Sequence, residues 1–458
     1  LGDVYKRQVM NTTDRTPPTH PEGKRSPWLW IPTTYMAEGL PYFAVNTLTV
    51  LMYHNMGIGL ADMAFFTGWL YLPWVIKPFW SPFVDLIKTK RGWTIAMQFL
   101  MAFSLGAVGL FLPSSFFFTA TLILFWLTAF FSATHDIAAD GYYMIELSAH
   151  DQAAFVGVRS TFFRIASVIG QGGLVMLAGY LEQTRGSVSE AWSLVFMLLG
   201  VIFLLTALYH TRFMPRSGED RPMPGVTPST IMRDFARTFV TFFRKPDIVP
   251  ALLFMLFYRL PEAMCLKLVQ PFLVSPREEG GLALSTSEVG FVNGTVGVVA
   301  LLAGGILGGI AISRGGLKKW LWPMALSLTL PCVFYCGLAM WQPENFSLIC
   351  AAIFTEQFGY GFGFTAFMLY LIYFSRGESK TSHYAFCTAF MALGMMLPGM
   401  AAGWLHDIFS GIDIYGDGTP QGYVNFFWLV MLCCTATFAV CLGVRIEPGF
   451  GKKQEKVS

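Results

Sequence analysis

Residues 116–139 read FFFTATLILFWLTAFFSATHDIAA, and no charged side chain occurs between Phe116 and His135. An α-helix rises 1.5 Å per residue and needs about 20 apolar residues to cross a bilayer, so this run has the length of a membrane span. Its first charge, Asp136, comes near the end, and Asp140 follows one helical turn later. The stretch therefore points to a membrane-spanning helix that keeps carboxylates where carboxylates are costly.

Composition extends that reading to the whole chain. Of 458 residues, 54% are apolar and 13% charged, where soluble domains carry roughly 25% charged residues. Net charge is only +3, too little to suggest nucleic-acid binding. All eight Cys (Cys265, Cys332, Cys336, Cys350, Cys387, Cys433, Cys434 and Cys441) fall inside apolar stretches without CxxC or zinc-ligand spacing. They read as small core hydrophobes, not as disulfides or a metal site. GxxxxGK[ST], HExxH and GxSxG are absent, so neither a phosphate loop nor a hydrolase signature is found. No cofactor or metal is expected.

The fold class that follows is an all-α polytopic membrane protein with twelve transmembrane helices in two six-helix halves. The spans are drawn at 28–52, 62–83, 93–112, 116–139, 156–180, 191–209, 248–274, 288–312, 320–340, 346–373, 384–404 and 423–445. The chain opens on Leu1, so residues 1–9 read as a fragment end or non-native, with Met10 as the start. Around the spans lie an N-terminal tail (1–27), a half at 28–209, a linker (210–247), a half at 248–445 and a C-terminal tail (446–458). With the N-terminus inside, 25 of the 31 Lys and Arg fall in inward loops and tails, and only Arg185 and Arg277 fall outside. That asymmetry predicts a cytoplasmic location for both ends of a multi-pass plasma-membrane protein. In the linker, Ile231, Phe235, Phe239 and Phe242 recur at helical spacing among Arg233, Arg237, Arg244 and Lys245, as in a helix lying on an anionic leaflet.

Faint internal echoes suggest a repeat-built carrier. Glu38 precedes Pro41 in span one, and Arg259-Leu-Pro261-Glu262 occupies span seven. Asp136 and Asp140 interrupt span four as Glu356-Gln357 interrupts span ten. A charge at the bilayer centre costs about 2.5–3.5 kcal/mol on insertion scales, so one that persists usually has a cavity or a partner. Arg164, Gln171, Arg259 and Lys267 are candidates for binding an anionic solute, the guanidinium fork being suited to a carboxylate. Glu38, Glu262 and Glu356 are candidates for proton coupling, since burial raises and a nearby cation lowers a carboxylate's proton affinity. Arg259 and Glu262, three residues apart, can equally pair with one another. Lys77, Asp85, Arg91, Asp136 and Asp140, around the inner end of span two and of span four, are candidates for gating ion pairs remade during a cycle. The glycines of spans eight and eleven need no role beyond close packing.

Several of these segments resemble the major facilitator superfamily and, within it, AmpG-type muropeptide permeases, a family distantly related to acetyl-coenzyme-A transporters. The likeness is carried by Lys77…Trp80-Ser81-Pro82…Asp85…Arg91-Gly92-Trp93, by Ser132-Ala133-Thr134-His135-Asp136-Ile137…Asp140 and by Arg164. Tyr258-Arg259-Leu260…Glu262-Ala263, Ser287-Glu288-Val289-Gly290, Glu356 with its following glycines, and Pro398-Gly399…Trp404 extend it into the second half. Lys267 and Gly141-Tyr142-Tyr143 depart from the family pattern. The resemblance implies a proton-coupled symporter that imports N-acetylglucosaminyl-anhydro-N-acetylmuramyl peptides across a bacterial inner membrane for peptidoglycan recycling. Its partners would be that solute, protons and the bilayer, with the monomer as the working unit. Another sugar, glycoconjugate or acidic solute fits the same residues; a membrane sensor or enzyme fits them least.

Overall fold

The computed structural model describes residues 25–147, 149–218, 220, 228–377, 380–413 and 421–452. The expected N-terminal tail up to residue 24, residues 453–458 of the expected C-terminal tail, and the side chains of Asp85 and Ile231 lie outside the described residues. Six helical rods precede the linker: α1 (31–55), α2 (60–87), α3 (Lys90–Phe111), α4 (Phe117–Glu146), α5 (149–185) and α6 (Val188–Phe213). The linker forms α7 (Pro228–Phe243). After it come α8 (Ile248–Val274), α9 (Thr286–Gly315), α10 (Leu317–Trp341), α11 (Phe346–Phe374), α12 (Lys380–Ser410) and α13 (Gly422–Gly443). Among the described residues there is no strand, and nine stretches are long and apolar enough to cross a membrane. These lie in α3, α4, α5, α6, α8, α9, α10, α12 and α13. In the other three rods, Glu38 and Asn46 dilute α1, Glu356-Gln357 dilutes α11, and α2 breaks at Leu70-Tyr71.

Local sequence accounts for the ends and bends. Ser187 and Ser285 cap α6 and α9, the second through a reciprocal box with Glu288, and Asn345 caps α11. Gly186 ends α5 in the left-handed conformation. Pro41 sits just before a π-helical turn at Ala44–Leu48 in α1, and matching π turns occur at Val168–Leu174 in α5 and Val292–Gly297 in α9. In α8 the helix breaks at Tyr258-Arg259, directly before Leu260-Pro261.

Two helices expected to be interrupted, at Asp136 to Asp140 and at Glu356-Gln357, run straight through as α4 and α11. In α11 the glycines serve packing. A Cβ on Gly359 or Gly363 would meet the backbone of α10, at Ser327 O and Met324 O, and one on Gly361 would meet Leu301 O of α9. α11 is thus wedged between its two neighbours without side chains in the way. Large apolar side chains such as Phe103, Leu110, Leu205, Ile306 and Leu442 point outward, which is stable where the surroundings are lipid.

The linker helix differs from the sequence expectation in what its aromatic face touches. Phe235, Phe239 and Phe242 pack on Phe386 of α12, with Phe390 stacked on Phe242, and Phe235 also meets Phe79 of α2 at 5.2 Å. α7 thereby bridges the two halves at its own end of the molecule. At the opposite, far end, α5 meets α9 and α2 meets α12. Gly172 and Gly294 face one another across that contact so closely that a Cβ on Gly294 would lie 2.0 Å from the Gly172 Cα.

Candidate functional site

Three groups of polar side chains bear on the candidate residues or on the contact between the halves. The first joins α1, α2, α4 and α5 within the N-terminal half. Asp136 and Asp140, one turn apart on α4, face Glu38 of α1, and one oxygen from each carboxylate lies within 4.8 Å of the others. Lys77 of α2 pairs with Asp136. Arg159 of α5 pairs with Asp140 at 2.6 Å, and Tyr35 OH donates to the same Oδ1 at 3.0 Å. The Arg159 guanidinium lies over the rings of Tyr35 (4.4 Å) and Tyr143 (5.2 Å), which fixes its direction. Glu38 makes no hydrogen bond or ion pair with a described residue, and its Oε2 is buried. Three carboxylates thus meet two cations. Lys77 and Arg159 already bond two of the three carboxylates, and the set carries one negative charge in excess, the charge of a single proton.

The second place lies in the C-terminal half beside the break in α8. Arg259 holds Glu262 through two 2.7 Å bonds, donates to Tyr360 OH at 2.9 Å and stacks over Phe364 at 4.6 Å. Glu356 of α11 is buried and accepts from Tyr335 OH and Gln357 Nε2, both at 2.8 Å, with no cation bonded to it. Lys267 of α8 is 1% exposed, and its hydrogen bond is to Thr67 Oγ1 of α2 at 3.0 Å, above the Tyr71 ring. Lys267 thus lies at the meeting of the halves, bonded to a neutral hydroxyl and to no carboxylate among the described residues.

The third is the far end. There Glu182 of α5 accepts from Asn55 of α1 (3.1 Å), Trp192 of α6 (2.8 Å) and Thr286 of α9 (2.5 Å). His54 of α1 meets Ser275, after α8, at 3.2 Å.

The structure thus brings Glu38, Lys77, Asp136 and Asp140 together and brings Arg259 to Glu262. Arg164 is exposed on α5 and makes no hydrogen bond or ion pair with a described residue. Gln171 donates to Ser167 Oγ at 2.8 Å. Arg91 is spent elsewhere: it donates to the carbonyls of Met214, His210 and Thr211 and so caps the C-terminal end of α6. Sequence reasoning missed Arg159, counted there as a loop charge, together with Tyr35, Tyr360, Glu182, Asn55 and Thr286. The i, i+4 spacing of Asp136 and Asp140 was the available signal for a basic partner nearby.

Comparison with known proteins bears on the family and the fold. The model of the BT1 family matches residues 36–307. The anhydromuropeptide permease of Escherichia coli K12 is 26% identical over 377 residues, covering 80% of this chain and 72% of the permease. A transporter named AmpG 4 in Rickettsia conorii is 24% identical over 370 residues, covering 78% and 84%. Among solved structures, an inward-facing, unoccupied bacterial homolog of the human lysosomal transporter Spinster superposes with a TM-score of 0.65 at 15% identity, over 91% of this chain and 95% of that one. A D-xylose–proton symporter gives 0.65 at 11%, over 91% and 98%. The likeness to these two is one of fold, that of the major facilitator transporters.

Proposed function

Because the chain belongs to the BT1 family and has the major facilitator fold, we propose that this transporter is a proton-coupled importer of anhydro-muropeptides or anhydro-disaccharides, working by alternating access in a bacterial inner membrane. The reading takes α1–α6 and α8–α13 as twelve spans, with both ends cytoplasmic and a monomer sufficient. The observation that carries the coupling is the charge count in the N-terminal half: Glu38, Asp136 and Asp140 against Lys77 and Arg159. One proton balances that set, and its loss leaves an uncompensated buried charge, which favours a different arrangement of the four helices.

The solute's carboxylates have two receptors without an anionic partner, Arg164 and Lys267. Arg259 binds a solute by exchanging Glu262 for it, and Glu356 completes a polar wall with Tyr335. Sugar rings have abundant aromatic faces nearby, among them Tyr42, Tyr71 and Trp74. The similarity to the anhydromuropeptide permease of Escherichia coli supports the muropeptide as solute.

The test is uptake of labelled N-acetylglucosaminyl-anhydro-N-acetylmuramic acid into proteoliposomes with and without an imposed proton gradient. Accumulation that collapses with a protonophore is the expected result. No uptake into vesicles holding folded protein would move the solute to another acidic sugar or glycoconjugate.

A further inference from the structure

At the far end, one carboxylate gathers donors from both halves. Glu182 closes the C-terminal end of α5, where Trp192 Nε1 of α6 and Asn55 Nδ2 of α1 donate to its Oε1. Those two bonds anchor it within the N-terminal half. Its other oxygen, Oε2, accepts from Thr286 Oγ1, the first residue of α9 in the C-terminal half. Asn55 Nδ2 is also 2.9 Å from Thr286 Oγ1, so three residues on α1, α5 and α9 form a closed triangle. The backbones support it: a Cβ on Gly179, one turn before Glu182, would lie 2.3 Å from Ser287 N. A cleft of about 350 Å³ opens beside the triangle, lined by His54, Gln183, Ser275 and Ser285 among others.

We propose that Glu182, Asn55 and Thr286 are the latch that holds the far gate shut and that solute entering between the halves from that face must break it. The bonding is directional. Trp192 fixes the carboxylate on one half, and the Thr286 hydroxyl is its only donor among the described residues from the other. Parting α5 from α9 therefore breaks the Thr286 bonds and leaves the Asn55 and Trp192 bonds intact. Water in the adjacent cleft can replace a hydroxyl at Oε2 once the helices separate, so the latch opens without stranding a buried charge. His54 and Ser275 form a second, neutral contact between the halves at the same level.

The inference rests on the alternating-access reading, but its test reads conformation, so it fails independently of the solute. Hydrogen–deuterium exchange is followed in the purified full-length protein for wild type, Glu182→Gln, Thr286→Val and Trp192→Phe. The first two variants should speed exchange by roughly tenfold across 179–188 and 284–292, as expected for loss of a charge-assisted hydrogen bond, and leave 380–400 unchanged. Combining them should add little to Thr286→Val alone, because that substitution already removes both bonds that Thr286 makes across the gap. Trp192→Phe removes a bond within one half and should leave 284–292 at the wild-type rate. Unchanged exchange at both far-end segments in Glu182→Gln and Thr286→Val would overturn the latch. So would equal acceleration throughout the chain, or a Trp192→Phe variant that opens 284–292 as much as Glu182→Gln does.

Discussion

Arg259 and Glu262 show how much one pair of residues reveals by spacing alone. Three positions apart on a helix, they were expected to be able to pair, and they do so in bidentate fashion, Nε and Nη2 of the guanidinium each donating to one carboxylate oxygen. Breaking a buried pair from one side costs about 3–5 kcal/mol because the other charge is left behind. Glu262→Gln should therefore lower the thermal unfolding midpoint of the detergent-purified protein by several degrees. The double variant Arg259→Gln/Glu262→Gln should regain most of the loss. A Glu262→Gln midpoint equal to that of wild type would show that the pair contributes nothing to stability. The other site was less legible for a physical reason. Lys77 meets Asp136 across 59 positions and Arg159 meets Asp140 across 19, on helices whose rotation about their axes no local pattern fixes. Sequence spacing grouped Lys77 with the nearby Asp85, whereas tertiary packing turns it toward α4.

At the scale of elements, the spans themselves were readable because a bilayer imposes their length and apolarity. The turns inside them were not. Prolines flagged α1 and α8, but the π turns of α5 and α9 have no comparable signal, and they carry the glycines that let the halves touch. A Cβ at Gly294 would collide with the Gly172 backbone, where no side chain can swing away. Overpacking of that kind costs about 1–3 kcal/mol, and only in the arrangement where α5 and α9 are in contact. Gly294→Ala should therefore shift the protein toward a far-open arrangement, seen as faster exchange over 168–176 and 290–297. Gly309→Ala, on the same helix with no atom near its would-be Cβ, should leave those segments unchanged; matching effects from the two would refute the contact argument. A second element-level device is Asp220. Its carboxylate accepts from the backbone N–H of Lys90 and Arg91 and so caps α3 from the far side of the sequence. Asp220→Ala should destabilise the protein by about 1 kcal/mol, measured as a lower unfolding midpoint.

For the whole molecule, the proposed coupling requires that one unmatched carboxylate bear on an arrangement involving both halves. Glu38 lies on α1, whose far end carries Asn55 and His54, the contacts to α9 and to Ser275. It also lies beside Asp136 and Asp140, which hold α2 and α5 through Lys77 and Arg159. Proton occupancy at one point thus bears on three helices that reach the surface between the halves, since α2 packs on α12 and α5 on α9. Charge balance gives a directional consequence. Glu38→Gln fixes the cluster in its neutral, proton-loaded condition, so rearrangement no longer requires a proton to arrive or leave. Exchange of labelled for unlabelled solute across the membrane should continue at a rate within about threefold of wild type, because solute-driven interconversion is retained. Accumulation against a solute gradient under an imposed proton gradient should vanish, since nothing links proton flow to the turn of the cycle. A variant that still concentrates solute would place the coupling proton elsewhere, and Glu356 of α11, buried and bonded to the neutral donors Tyr335 and Gln357, would be the next carboxylate to neutralise.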